Sequence, residues 1–231
     1  MAYSSVLSDI LEELIMKILF CKVSCMKYYK GASDKDEAYN GGRFVDENGF
    51  GHEEFNFLPI LVEKDHEGIL GEKEYCFGFV ETKATSQNQS NELHIEKIKG
   101  CALLKKVESI DDVLVVWCTT SNLNETTVVG WYKHASVFRT YQSITLDFNN
   151  GISEERRYNI VASSKDCVLL PSGERHRHIW SAPSAKRTRS YGFGQSLIWY
   201  ATEDSAIDYI KKLLKNIEGY TGDNWLYKFP E

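Results

Sequence analysis

Hydrophobic residues recur at helical spacing near both ends of the chain. In residues 5 to 17 they follow the i, i+3, i+4 recurrence of an amphipathic helix, with Ser4 or Ser5 available as its cap. These apolar positions are Val6, Leu7, Ile10, Leu11, Leu14 and Ile15. Residues 203 to 217 show the same spacing, with Thr202 as a candidate cap and Gly219 as a stop signal. The pattern predicts one helix at each end of the chain.

Between these two segments, β-branched and aromatic residues form short runs separated by turn signals. The runs predict strands at 18–26, 74–80, 93–98, 113–118, 127–132, 136–141, 158–162, 168–169 and 196–200. Many short strands with few helices favour a closed or nearly closed sheet. The predicted fold class is therefore α+β: a β-barrel over about residues 18–201, flanked by helices at 5–17 and 203–217.

Composition predicts one soluble domain over residues 1–231. Hydrophobic residues make up 42% of the chain and charged residues 26%, which are ordinary values for a globular protein, and no repeat or proline-rich linker divides it. The six cysteines lie mainly in apolar runs without a Cys-x-x-Cys pair, as buried thiols do in a reducing compartment. Acidic residues interrupt the first apolar segment, so neither a signal peptide nor a membrane span is predicted. We expect a cytoplasmic protein.

Charge is distributed unevenly along the chain. The formal net charge of −6 argues against a protein that coats nucleic acid indiscriminately, because such binding needs many basic contacts. Residues 151–200 nevertheless hold eight basic and four acidic residues. A basic region on an acidic protein indicates oriented binding to a polyanion.

The run from Val128 to Lys133 combines an apolar strand, a glycine, two aromatic rings and a cation. Aromatic rings can stack on a nucleobase, and a neighbouring lysine, here Lys133, can pair with its phosphate. Successive residues of a strand point to opposite faces, so one of Trp131 and Tyr132 is expected in the core whatever the other does. Packing of both rings is the alternative interpretation.

Two further segments contain glycine, aromatic rings and an amide. The loop from Gly41 to Phe57 contains Asn56, whose amide offers both a donor and an acceptor to the edge of a base. Asn56 could equally cap a turn, since asparagine is common there. The segment from Gly192 to Tyr200 places Gln195 before a strand that ends in Trp199 and Tyr200.

Basic residues flank Trp180 in the region 174–189, which is typical of a nucleic-acid surface, although a solvated basic loop looks the same. The candidates for phosphate contacts here are Arg175, Arg177, Lys186, Arg187 and Arg189. A separate set, Asp65, Glu81 and Lys83, resembles the acid-x-lysine arrangement with which DNA-cleaving enzymes hold Mg²⁺. These are three common residue types, so a turn after a strand is the competing interpretation.

Four ordered motifs together resemble a known group of bacterial domains. They are Cys25–Gly31, Gly51–Phe57, Val128–Arg139 and Gly194–Ala201, and the likeness spans about residues 18–217. The chain resembles the EVE and YTH-like domains of modification-dependent restriction systems, within the PUA-like group of folds. The resemblance implies a distorted β-barrel with a pocket for a flipped, modified base.

The resemblance also implies functional residues. Trp131, Tyr132, Trp199 and Trp117 would line the base pocket, with Asn56 and Gln195 reading the base edge. Extruding a base costs a few kcal/mol, which stacking and edge hydrogen bonds offset. The leading hypothesis is a non-enzymatic reader of a methylated or otherwise modified base in double-stranded DNA, without cofactor or metal, that serves a restriction system whose nuclease or motor lies elsewhere. The alternatives are a metal-dependent endonuclease and a small-ligand or protein-interaction module.

Overall fold

The computed structural model describes residues 16–40, 51–62, 73–82, 92–122, 124–147, 153–184 and 190–231. Their strands are β1 (Lys17–Val23), β2 (Pro59–Val62), β3 (Lys73–Gly78), β4 (Ser109–Thr120), β5 (Thr126–Asp147), β6 (Ser153–Ser163), β7 (Cys167–Leu169) and β8 (Ile198–Trp199). The α-helix α1 (Ile207–Glu218) follows them. Short 3-10 helices occupy His52–Phe55, Ile95–Lys97, Ser164–Asp166, Glu174–His176, His178–Trp180, Asp204–Ala206 and Trp225–Tyr227.

All eight strands belong to one mixed sheet, in the order β2-β3-β6-β5-β4-β1-β8, with β7 beside β5. β1 pairs in parallel with β4, whereas the other pairs are antiparallel. The α+β class is thus confirmed. The closed barrel is not: among the described strands, β2 and β8 are the two ends of the hydrogen-bonded path and do not pair with each other.

β5 is the central strand of the sheet and runs for 22 residues. Its first part pairs with β4 on one side and β7 on the other, and its later part pairs with β6. The sequence predicted two strands here, at 127–132 and 136–141. The structure joins them, because His134 adopts a left-handed backbone conformation, with φ of 50°, in a bulged stretch of the β4–β5 ladder.

Each face of the sheet is covered by its own hydrophobic core. The first core contains Leu19, Trp117 and Tyr132. The second contains Phe20 and Trp131, which α1 covers with an apolar stripe that includes Leu214. Side-chain alternation along β5 explains the division, since Trp131 and Tyr132 are neighbours in sequence and point to opposite faces.

Several element predictions need correction. Residues 93–98 form no strand: a 3-10 helix covers Ile95–Lys97. The predicted strand 196–200 is reduced to Ile198–Trp199. The carboxyl-terminal helix begins at Ile207 after a 3-10 turn, and no side chain caps it, so Thr202 is not its cap. The predicted helix at 5–17 lies outside the described residues up to position 15, and Lys17 already belongs to β1.

All six cysteines are free thiols, and five of them are buried, as expected. Among the described residues, no helix combines the length and the apolar character that a membrane crossing requires.

Candidate nucleic-acid interface

The four aromatic rings predicted to line a base pocket lie inside the protein. Trp117 and Tyr132 pack edge to face in the first core, with ring centroids 5.3 Å apart. Trp131, at 1% exposure, stacks on Trp180 at 5.4 Å in the second core. Trp199 packs on aromatic neighbours there and donates its indole N–H to Glu203. We therefore reassign these rings from pocket walls to the cores.

Asn56 is fully buried. The donor and the acceptor of its side-chain amide both form hydrogen bonds, but with the backbone and not with a ligand. Its Oδ1 accepts from the Phe79 N–H at 2.8 Å, and its Nδ2 donates to the Phe79 carbonyl at 3.1 Å. Asn159 pairs in the same way with the next residue, Val80. Asn56 therefore fixes the chain that leaves β3, whereas Gln195, the other predicted edge reader, is exposed.

The predicted phosphate contacts divide into four groups, of which buried Arg175 is the last. Arg177 is exposed and forms an ion pair with Glu174 at 2.7 Å. Lys133 is half-buried and lines a cavity near the start of β1. Lys186, Arg187 and Arg189 lie outside the described residues.

Arg175 is buried and has a structural role. Its guanidinium donates to the carbonyls of Leu170, Met26 and Lys27 at 2.7 to 2.9 Å. Burial lowers its pKa, and at 5% exposure the guanidinium is not accessible to a phosphate. Arg175 thus ties the loop after β1 to the chain after β7.

The predicted nuclease residues are not brought together by the described structure. Glu81 is exposed beyond the end of β3, and Asp65 and Lys83 lie outside the described residues. Within the described part of the chain, no three His, Cys, Asp or Glu side chains are grouped closely enough to hold a metal ion.

An aromatic pair flanked by lysines lies on the surface, where the loop after β1 meets the carboxyl-terminal segment. The rings of Tyr28 and Trp225 are stacked, with centroids 5.5 Å apart and an angle of 16°. The Lys228 ammonium lies 4.5 Å from the Trp225 ring centroid, and the Lys27 ammonium lies 4.8 Å from that of Tyr28. Tyr28 is buried, and Trp225 is half-buried and packs against the first core, so the indole is held in place by Tyr28 and keeps part of its surface exposed.

The loop that carries Lys27 and Tyr28 is held from two sides. The buried Asp36 carboxylate accepts from the backbone N–H groups of Lys27, Tyr28 and Tyr29. Arg175 binds the carbonyls of Met26 and Lys27, as described above. Because both peptide donors and peptide acceptors are bound, the backbone under the aromatic pair is fixed.

The carboxyl-terminal segment is anchored at three points. The Asn224 side chain accepts from Leu169 N–H at 3.0 Å and donates to the Cys167 carbonyl at 2.9 Å, which attaches the segment to β7. Leu226 is buried in the first core, and Lys30 donates to its carbonyl. The neighbouring rings of Tyr227 and Phe229 stay 59% and 50% exposed.

We call this region the aromatic–lysine surface. It consists of Lys27, Tyr28, Trp225, Tyr227, Lys228 and Phe229. Lysine ammonium groups beside exposed aromatic rings are the chemistry with which proteins hold single-stranded or extruded bases together with their phosphates.

An open cavity of about 720 Å³ adjoins this surface. It lies between the segment around Arg177 and the end of α1, and its walls include Trp180, Tyr220 and Trp225. The indole N–H of Trp180 is buried and has no hydrogen-bond partner among the described residues. The size falls in the range of about 300 to 1,000 Å³ that is typical of small-molecule sites.

Comparison with known proteins assigns no relative. No protein-family model matches the chain, and searches of curated proteins and of solved structures give no significant match.

The sequence predictions missed the aromatic–lysine surface, although a signal for it was present. Lys27-Tyr28-Tyr29-Lys30 and Trp225-Leu226-Tyr227-Lys228-Phe229 each interleave aromatic rings with lysines. The first run was noted as part of the resemblance, whereas the second follows the last predicted helix. Their pairing could not be predicted because nearly 200 residues separate Tyr28 from Trp225.

Proposed function

We propose that the protein binds nucleic acid through the aromatic–lysine surface. The observation that carries this proposal is the stacked Tyr28–Trp225 pair with the Lys27 and Lys228 ammonium groups at its rings. On binding, a base stacks on the accessible indole, and the lysines exchange their ring contacts for phosphate oxygens. Stacking of this kind contributes about 1 to 3 kcal/mol per base.

The preferred ligand in this proposal is DNA with a modified base, as the resemblance to EVE and YTH-like domains implies. The base is extruded and enters the cavity beside Trp225, where Tyr220 and the edge of the buried Trp180 ring supply aromatic walls. The site therefore differs from the one predicted from sequence, which used Trp131 and Trp199. The PUA-like fold is part of the same proposal. In this proposal, the open mixed sheet corresponds to the distorted barrel of that fold.

The protein acts as a reader without catalysis in this account, and the nuclease or motor of a restriction system acts with it as a separate partner. The proposal uses the exposed Arg177 at the cavity rim as a phosphate contact once it leaves Glu174. Arg175 is excluded from that role by its burial beneath the loop that it supports.

Binding to labelled duplexes tests the proposal. The duplexes carry N6-methyladenine, 5-methylcytosine, 5-hydroxymethylcytosine or no modification, and each affinity is measured between about 50 and 200 mM KCl. We expect salt-dependent binding, tightest for one modified duplex. The slope of log K against log salt is negative, and each phosphate contact contributes about 0.9 to its magnitude. The Lys27→Gln/Lys228→Gln variant should therefore make this slope shallower by about 2.

Lys211→Gln/Lys212→Gln, which removes two exposed lysines of α1, is the charge-matched control and should keep the slope of the unchanged protein. Equal affinity for all four duplexes would remove the modified-base part of the proposal. An absence of salt-dependent binding to every duplex would remove nucleic acid as the ligand and favour a small-ligand or protein-interaction module.

A further inference from the structure

A second positively charged feature lies on the loop between the 3-10 helix at Ile95–Lys97 and β4. Residues 97–107 contain four lysines and no acidic residue, in a protein with a net charge of −6. At the tip of this loop, the Leu103 side chain is 97% exposed. Lys105 and Lys106 follow it and are exposed as well.

This loop has a defined shape. Three successive turns close it, from Cys101 N–H to Ile98 O, from Leu104 N–H to Cys101 O and from Val107 N–H to Leu104 O. Gly100 supplies a left-handed residue, with φ of 82°. Ile98 and Cys101 are buried in the first core, which anchors the start of the loop.

Arg139 fixes the other half of the loop from beneath. Its buried guanidinium donates to the carbonyls of Leu104 and Val107, both at 3.0 Å, and pairs with Glu96 at 2.9 Å. Leu103 is therefore held outward by a rigid base. At 97% exposure the Leu103 side chain removes almost no apolar area from water, so it adds nothing to the stability of the core.

We propose that this loop is a second contact with duplex nucleic acid, in which Leu103 inserts between stacked base pairs and Lys99, Lys105 and Lys106 bind the flanking phosphates. Proteins that kink DNA insert a single apolar side chain of this kind at a base step. The inference rests on the proposed function in one respect, because both have nucleic acid as the ligand. The loop shares no residue with the aromatic–lysine surface.

Two polyanions could attract the lysines of this loop, an anionic membrane and duplex nucleic acid. The apolar area of the loop distinguishes between them. An anionic membrane also attracts lysines, but binding to it grows with the apolar area that enters the lipid. The other exposed large hydrophobic side chain of this loop is Val107, at 36% exposure, and the loop is not an amphipathic helix. Insertion between base pairs needs only one apolar side chain, so these observations favour duplex nucleic acid over a membrane.

A duplex with 2-aminopurine at a flexible pyrimidine–purine step tests the inference, because this base brightens when it loses its stacking partner. With the unchanged protein, we expect fluorescence to rise on binding. Leu103→Ala should abolish the rise and weaken binding roughly tenfold while leaving the salt slope unchanged. Lys105→Gln/Lys106→Gln should keep the fluorescence rise at saturating protein. The slope of log K against log salt should become shallower by about 2.

Leu61→Ala is the matched control, since Leu61 is another exposed leucine, on β2. If the unchanged protein binds the duplex and Trp225→Ala weakens it, but Leu103→Ala behaves like Leu61→Ala, the loop inference fails and the proposed function stands. If no duplex is bound, both fail. Binding to phosphatidylserine vesicles that Leu103→Ala abolishes, without any change in duplex binding, would also overturn the inference.

Discussion

Asn56 and Asn159 clamp two consecutive peptide groups, Phe79 and Val80, where the chain leaves β3. The donor and acceptor predicted for a base edge are thus occupied by backbone. Asn56→Ala would leave the buried N–H and carbonyl of Phe79 without partners, so we expect the free energy of unfolding to fall by about 2 to 4 kcal/mol.

Chemical unfolding of Asn56→Ala measures this loss, and Asn159→Ala should show a loss of similar size. A role in reading bases would give another outcome: Asn56→Ala would keep the stability of the unchanged protein and lose its preference among modified duplexes.

Lys30 has a lowered pKa because it is buried beneath the carboxyl-terminal segment. Burial lowers its pKa from 10.5 to about 8. Between these two values the unfolded chain holds the proton and the folded protein does not, so the Lys30 contribution to stability increases with pH in that window and is constant below pH 8. The slope is at most about 1.4 kcal/mol per pH unit.

Unfolding of the unchanged protein and of Lys30→Met, from about pH 7 to pH 10, isolates this contribution from that of the other titrating groups. The stability difference, unchanged protein minus variant, should be flat at first and then rise above pH 8. A difference that stays flat throughout, or that falls, contradicts the lowered pKa.

At the scale of elements, the contact between β5 and β7 depends on Gly130. A Cβ at this position would lie 2.2 Å from the Val168 carbonyl oxygen and 2.7 Å from the Phe57 ring. We expect Gly130→Ala to destabilise the protein by about 1 to 3 kcal/mol, as overpacking of a core does.

Gly194→Ala is the control for this substitution, because a Cβ there would meet no atom within 4 Å. Its stability should stay within about 0.5 kcal/mol of the unchanged protein. Equal melting temperatures for the two variants would contradict the close approach of β7 to β5.

Element boundaries show what local pattern can and cannot predict here. The strands around 74–80, 113–118 and 158–162 are confirmed within a few residues, because side-chain alternation and β-branched residues mark them directly. The break predicted between 132 and 136 is a bulge, and a bulge and a turn have the same composition. Residues 93–98 are apolar enough for a strand, yet they cover the first core as a 3-10 helix.

At the scale of the whole molecule, the aromatic–lysine surface depends on contacts between distant parts of the chain. The sequence identifies aromatic residues but not which of them the fold encloses: Trp117, Trp131 and Trp199 are buried, and Trp225 is accessible. Arg175 shows the same limit of sequence-based prediction. Its charge predicts a phosphate contact, but its side chain is buried and supports the loop at Lys27. Charge and aromatic content therefore lead to the hypothesis of a nucleic-acid ligand, and burial shows which of these residues a ligand can reach.

The affinity of Trp225 variants for a labelled oligonucleotide tests the central claim most directly. Trp225→Ala should weaken binding roughly 5- to 150-fold, the equivalent of about 1 to 3 kcal/mol of stacking, and Trp225→Phe should weaken it less. Leu61→Ala should bind like the unchanged protein. If Trp225→Ala unfolds at the same temperature as Leu61→Ala and binds with the affinity of the unchanged protein, the aromatic–lysine surface is not the nucleic-acid site.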